Sequence, residues 1–85
     1  MDGVDVGLAT RVAEQVERAK FVLGRRLKDH RRLRGMSQVK LSSSAQVSLR
    51  CLQKVEHGQV CVDIYTLFKL GYVLGTSPDE LMREL

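Results

Sequence analysis

Three side chains between residues 50 and 54 carry hydrogen-bond donors at the spacing of one helical turn. Arg50 and Lys54 are four residues apart, and Gln53 lies between them. Residues three and four apart share one face of a helix, so a helix here would project all three together. A guanidinium offers a planar fork of donors, an ammonium a point charge, and an amide both donors and an acceptor. This set suits base edges and phosphates in a major groove better than bond-making chemistry.

Two short helices are predicted to position these donors. Ser37 can cap a first helix over about 38–44, and Ser48 can cap a second over about 48–56. Gly58 follows the second helix at the position where a positive φ is favoured. Two short helices joined by a tight turn form a helix-turn-helix. The pattern therefore predicts that the second helix is held out from the body of the domain.

The chain before this unit has a helical period. Residues 1–9 are expected to form a flexible N-terminal arm, and residues 10–85 the folded domain. From Thr10 onward, apolar residues recur every three or four positions until Gly35 ends the run. The sequence leaves open whether 11–34 is one helix or two. His30 shares the apolar face of this run and is expected at the edge of the core.

Two further helices are predicted after the helix-turn-helix. Asp63 can cap a fourth helix that ends at Gly75, and Ser77 can cap a last short one. The residues predicted to face the core from the fourth helix are Ile64, Leu67, Phe68, Gly71 and Leu74. No run alternates in the manner of a strand. The expected fold is all-α, a compact bundle of four to five helices.

Charge is concentrated in the middle of the chain. Residues 1–19 hold two basic and four acidic side chains, residues 20–59 ten basic and two acidic, and residues 60–85 two basic and four acidic. The net charge is +4. A basic middle between acidic ends suits one face turned toward a polyanion such as double-stranded DNA. The alternative is an ordinary solvated charged face.

Several function classes lack support in the sequence. No nucleophile, base or metal constellation is found, so we expect no enzyme activity, catalytic residue, metal or cofactor. No apolar run approaches a membrane span and no signal peptide opens the chain, so a cytoplasmic protein without a membrane partner is expected. Cys51 and Cys61 lack metal or redox spacing and are interpreted as free thiols, with Cys51 facing either the groove or the preceding helix.

The order and spacing of these residues resemble the lambda-repressor-like (Cro and phage-repressor type) helix-turn-helix family over roughly residues 23–81. The matching residues are Leu23-Gly24, Leu27, Arg31, Gly35, Ser37-Gln38, Leu41, Ala45, Val47-Ser48, Lys54, Glu56, Gly58, Thr66-Leu67, Lys69, Leu74-Gly75 and Asp79-Glu80-Leu81. Small members of this kind resemble phage repressors and the controller proteins of restriction-modification systems. The resemblance implies a transcriptional regulator that binds a palindromic operator as a homodimer. Antitoxins share the fold, so an antitoxin or adaptor with a protein partner is the alternative.

The resemblance, taken with the donor pattern, gives each site residue a role. Predicted base-reading residues are Leu49, Arg50, Gln53 and Lys54. Predicted DNA phosphate contacts are Ser37, Gln38, Lys40, Ser48, His57 and Gln59. Arg31 and Glu56 match a family ion pair that joins the first helix to the third. The expected dimer interface comprises Tyr65, Phe68, Tyr72, Leu81, Met82 and Leu85, although the two tyrosines could instead mark the edge of the core.

The chain also departs from the family pattern. Gln46 stands where the family has glycine in a left-handed conformation, which costs about 1 kcal/mol for a residue with a side chain. Ser42 replaces the usual alanine. These departures affect the target sequence more than the fold.

Overall fold

Five helices make up the computed structural model, which describes residues 6–85. They are α1 (Val6–Leu33), α2 (Gln38–Ala45), α3 (Leu49–Glu56), α4 (Ile64–Leu74) and α5 (Pro78–Met82). No strand forms within this described range. The expectation of an all-α fold of four to five helices is therefore confirmed.

The first helix is longer than the sequence indicated. α1 is one continuous helix of 28 residues, roughly 42 Å long at 1.5 Å per residue. The open question over 11–34 is thereby resolved in favour of a single helix. Residues 1–5 of the expected arm lie outside the described residues, and residues 6–9 belong to the first turn of α1. Residues 7–18 are exposed, and burial begins only around Leu23.

Side-chain caps begin the four shorter helices. The hydroxyls of Ser37 and Ser48 accept hydrogen bonds from the backbone N–H groups of Lys40 and Cys51, each at 3.0 Å. Asp63 caps α4 in the same way, and Ser77 caps α5. These bonds satisfy N–H groups that have no partner within the helix. Because each cap fixes where its helix begins, the sequence pattern located these starts to within a residue.

The core is built almost entirely from leucines. The fully buried side chains are Leu27, Leu41, Leu52, Leu67, Leu70, Leu74 and Leu81. On α4 the buried stripe includes Leu70, which the sequence analysis missed, whereas Ile64 and Phe68, predicted to face inward, are 64% and 55% exposed. Those two predictions were wrong because the buried positions follow Leu67, Leu70, Gly71 and Leu74, a spacing of three, one and three.

α1 and α3 approach each other closely at Gly24. A Cβ atom built at this glycine would lie 2.2 Å from the carbonyl oxygen of Val55, which is closer than nonbonded atoms can come. The glycine weakens α1 as an isolated helix. It is nevertheless the residue that lets α3 lie against α1, so it sets the position of the helix that carries the predicted base-reading residues.

Candidate nucleic-acid interface

α3 buries one face and exposes the other. Leu52 and Val55 are buried against the core, whereas Arg50 and Gln53 are exposed. Lys54 is half-buried, and Leu49, at the start of the helix, is 38% exposed. An eight-residue helix with this division of side chains offers its polar face to a ligand while leucines anchor the other face.

Five of the predicted DNA contacts line one shallow groove of about 440 Å³. Its lining residues are Arg50, Gln53, Lys54, His57 and Gln59. The ring nitrogen Nδ1 of His57 lies 2.7 Å from the carbonyl oxygen of Gln53, which holds the imidazole against the end of α3. The groove thus brings together two cations, two amides and an imidazole. All of these groups can donate hydrogen bonds to phosphate or base acceptors.

The other predicted phosphate contacts lie at the starts of α2 and α3. Ser37 and Ser48 use their hydroxyl oxygens as cap acceptors, which leaves each hydroxyl proton available for donation. Lys40 is exposed in the first turn of α2. A cation near a helix N-terminus opposes the helix dipole, so Lys40 does not stabilise α2 through the dipole.

A buried ion pair fixes the end of α3 to α1. Arg31 Nε lies 2.7 Å from Glu56 Oε2, and Arg31 Nη2 lies 2.9 Å from Glu56 Oε1. The side chains are only 9% and 2% exposed. Arg31 also donates to the carbonyl oxygen of Met36, while Gln38 Nε2 donates to Glu56 Oε1 at 3.0 Å. The bonded carboxylate raises the pKa of Arg31, so the guanidinium stays charged in this site.

Gln38 therefore has a structural contact in addition to its predicted contact with phosphate. Its amide links the start of α2 to the Arg31–Glu56 pair. The sequence analysis assigned Gln38 to DNA alone and missed this role. The available signal was the acid predicted at the C-terminus of α3. A buried carboxylate needs several hydrogen-bond donors, so a second polar residue besides Arg31 could have been expected to bind it.

The turn between α2 and α3 holds a residue with a side chain in a left-handed conformation. Gln46 has φ 58° and ψ 46°, in the left-handed region. The carbonyl oxygen of Gln46 accepts a hydrogen bond from Lys69 Nζ at 3.0 Å. The backbone N–H of Val47 donates to the carbonyl oxygen of Ser42 at 2.9 Å. The expected conformational cost of Gln46 is thus present, and α4 braces the turn.

The residues predicted to form the dimer interface divide into three groups. Tyr65, Phe68 and Tyr72 are 73%, 55% and 89% exposed and line one groove beside the α2–α3 turn. Met82 and Leu85 are partly exposed and line a separate apolar groove between α1, α4 and α5. Leu81 is fully buried in the core, so its assignment to an interface was wrong. Proximity in sequence to Met82 concealed that the short α5 points Leu81 inward.

Cations on α1 were missed by the sequence analysis as site residues. Arg25, Lys28 and Arg32 line a second groove, which also includes His57. Their spacing of three and four residues places them on one face of α1, and this spacing was the available signal. Both cysteines are free thiols, with Cys51 half-buried against the core and Cys61 exposed.

Neither a metal-binding cluster nor a membrane-spanning helix is found in the described part of the chain. Among residues 6–85, no group of three or more His, Cys, Asp or Glu side chains is arranged to hold a metal ion. Within the same range, none of the helices has the length and apolar character needed to cross a membrane.

The fold and the donor-lined α3 define a helix-turn-helix protein of the DNA-binding class. A family model described as helix-turn-helix matches residues 27–81, well over half of the chain. The chain belongs to the Cro/C1-type helix-turn-helix family. The family is one of DNA-binding transcriptional regulators, which is the class that the sequence predicted. A comparison with curated proteins gave no match.

Three solved structures resemble the chain. The restriction-modification controller protein C.AhdI from Aeromonas hydrophila is 31% identical, with a TM-score of 0.71, over 73% of this chain and 94% of that one. The clp gene regulator ClgR from Corynebacterium glutamicum is 25% identical, with a TM-score of 0.71, over 74% and 67%. The competence regulator ComR from Streptococcus vestibularis is 27% identical, with a TM-score of 0.73, over 78% of this chain but only 22% of that one.

Proposed function

We propose that this chain is a sequence-specific transcriptional regulator that binds a palindromic DNA operator as a homodimer. One observation carries the proposal: the exposed face of α3 and the loop after it bring Arg50, Gln53, Lys54, His57 and Gln59 into one groove. An α-helix fits the major groove of B-DNA, and these side chains are suited to the acceptors found there. The 31% identity to a restriction-modification controller protein supports a regulator of that kind.

Each exposed side chain of α3 has a defined role in this proposal. Arg50 makes a bidentate contact to guanine, and Gln53 makes one to adenine. Leu49, at the exposed start of the helix, contacts a thymine methyl group. Lys54 contacts a base edge or the adjacent phosphate. Ser37, Gln38, Lys40, Ser48, His57 and Gln59 hold phosphates and fix the orientation of α3 on the duplex.

A homodimer accounts for apolar side chains that the monomer leaves in water. Tyr65, Phe68 and Tyr72 form an exposed aromatic surface along α4, and Met82 and Leu85 are exposed beside α5. Contiguous exposed apolar surface on a small domain marks an interaction site. In a helix-turn-helix dimer the two α3 helices would face half-sites about one helical turn apart, roughly 34–36 Å.

Selection of bound duplexes from a random pool tests the proposal. We expect enrichment of a sequence with two-fold symmetry whose half-site centres lie about 10–10.5 base pairs apart. Sedimentation of the complex then gives two protomers per duplex. A pool without enrichment would contradict the proposal and favour the alternative in which a protein is the main partner of this fold.

Substitutions in α2 and α3 separate base readout from general affinity. Arg50→Ala should cost about 1–3 kcal/mol on the selected site and relax preference at one base pair. Lys40→Ala should weaken binding to all sequences alike. It should also make the plot of log K against log salt less steep by about one unit, as the loss of one phosphate contact does. Arg11→Ala is the control, because this exposed arginine near the start of α1 does not line the groove. If Arg50→Ala left both affinity and preference at the level of this control, the proposed docking of α3 would be wrong.

A further inference from the structure

A second basic groove lies on the α1 side of α3. It has a volume of about 330 Å³ and is lined by Phe21, Arg25, Lys28, Asp29, Arg32, Glu56 and His57. Three of these residues are basic side chains of α1. Lys28 and Arg32 are four residues apart, and Arg25 precedes Lys28 by three. They therefore form one short row along the helix, about 10 Å long at 1.5 Å per residue.

His57 connects this groove to the one formed by α3. The imidazole lines both cavities, one with Arg50, Gln53 and Lys54 and the other with the α1 cations. Gly58 packs closely against α1, since a Cβ built there would lie 3.0 Å from the Cα atom of Phe21. The loop after α3 is thus seated directly on α1. As a result, the two basic grooves form one continuous surface with His57 at the junction.

The cations of the second groove are available to an external anion. Arg25 and Asp29 form an exposed pair at 3.6 Å, an arrangement that contributes about 0–1 kcal/mol and rearranges readily. Neither Lys28 nor Arg32 forms an ion pair with any residue of the range 6–85. The carboxylate of Glu56 is already neutralised by Arg31, so it does not cancel the positive potential of the groove.

We propose that Arg25, Lys28 and Arg32 bind consecutive phosphates of the DNA backbone next to the segment read by α3. The inference rests on the proposed function, because it extends the same bound duplex across His57 onto α1. Phosphates along one strand are separated by several ångströms, which is comparable with the spacing of this row. The contacts strengthen binding to every sequence and carry no base preference, as contacts to the backbone do.

The test is the salt dependence of binding by the full chain. In the variant Arg25→Gln/Lys28→Gln/Arg32→Gln, glutamine keeps a good helix former at each position while removing the charge. The plot of log K against log salt for a duplex should become less steep by about 0.9 for each lost contact, or about 2.7 (three times 0.9) for each bound protomer. The affinity should fall by the same factor for the selected operator and for a scrambled duplex.

A matched variant separates local contacts from net charge. Arg11→Gln/Arg18→Gln/Arg34→Gln also removes three positive charges from exposed positions, but none of these residues lines either basic groove. We expect its salt slope to stay within about one unit of the wild type, because only direct contacts release condensed counterions. An equal reduction in both triple variants would overturn the inference, since it would show a general effect of charge.

The outcomes distinguish this inference from the proposed function. A wild-type protein that binds no duplex overturns both. A wild-type protein that binds its operator, together with an α1 variant of unchanged slope, overturns the α1 contact alone. Circular dichroism checks that each variant is folded. If the triple variant unfolds, Lys28→Gln is compared instead with the single control Arg18→Gln. The slope should fall by about 0.9 per protomer more for Lys28→Gln than for the control, and equal slopes would overturn the inference.

Discussion

Removing one member of the Arg31–Glu56 pair should destabilise the domain severely. The change Arg31→Met removes two hydrogen bonds of 2.7 and 2.9 Å to Glu56 and a third to Met36. It leaves a carboxylate that is only 2% exposed, with Gln38 as its remaining side-chain donor. Breaking a buried pair in this way costs about 3–5 kcal/mol, because the desolvated charge has lost its partner.

That loss is large relative to the stability available. A domain of 85 residues is expected to have about 4–13 kcal/mol in total, at roughly 0.05–0.15 kcal/mol per residue. Urea unfolding followed by far-ultraviolet circular dichroism measures the difference by linear extrapolation. An osmolyte present in all samples restores a folded baseline if the variant is unfolded without denaturant. Arg32→Met is the matched control, since its exposed side chain follows Arg31 in the same helix and should change stability by less than about 0.5 kcal/mol.

A double substitution tests the physical reason. Arg31→Met/Glu56→Leu replaces both charges by apolar groups, so no unpaired carboxylate remains, and most of the lost stability should return. The single substitution should also cost nearly the same at low and high salt, because a buried pair is poorly screened. A loss below about 1 kcal/mol, the range of exposed pairs, would refute the reasoning. A double variant no more stable than the single one would do so as well.

Three further predictions concern the elements that place α3. Gly24→Ala should destabilise the fold through overpacking against Val55, at the upper end of about 1–3 kcal/mol. This exceeds the roughly 1 kcal/mol by which alanine is favoured in a helix, and an equally stable variant in urea would contradict it. Gln46→Gly should raise the free energy of unfolding by up to about 1 kcal/mol, because glycine adopts the left-handed conformation without the cost that a side chain adds. A variant less stable than wild type would contradict this prediction. The bond from the backbone N–H of Thr66 lowers the pKa of Asp63. The ionised carboxylate of Asp63 should therefore stabilise the fold above about pH 3.8, its ordinary pKa. This stabilisation should be lost as the pH falls through the lowered pKa of the folded state. The stability advantage of wild type over Asp63→Asn, measured by thermal unfolding, should disappear over that range.

Most of the fold followed from local signals in the sequence. Ser37, Ser48, Asp63 and Ser77 mark helix starts, because a side-chain oxygen must satisfy free N–H groups there. Glycines with positive φ end three of the helices at Gly35, Gly58 and Gly75. Cap and glycine signals act within a few residues, so they can be found without knowing the tertiary structure.

Predictions that depended on long-range packing were less successful. The spacing on α4 allowed more than one apolar stripe, and only the packing of α4 against α1, α2 and α5 buries Leu70 rather than Phe68. The pattern of α5 likewise could not show that Leu81 points into the core. The role of Gly24 depends on a carbonyl group 31 positions later in the chain, at Val55. Sequence spacing carries no information about such an approach.

The candidate site likewise contains residues that local spacing groups together and residues that only packing brings together. Residues on one short helix, such as Arg50 and Lys54, were grouped correctly by spacing alone, and the structure places them in one groove. The α1 cations belong to a groove with His57, which is 25 residues beyond Arg32. Nothing in the local pattern joins these segments. Only the packing of the loop at Gly58 against α1 does so.

The buried pair links stability to the geometry of the candidate interface. Glu56 is the last residue of α3, and the next residue, His57, lines both basic grooves. Because Arg31 holds Glu56 from α1, the relative position of the two grooves depends on an ion pair that is buried within the domain. Substitution of Arg31 should consequently weaken DNA binding even under conditions in which the protein remains folded. Substitution of Arg50 should weaken binding with no loss of stability, so the two effects are separable by measuring unfolding and affinity on the same samples.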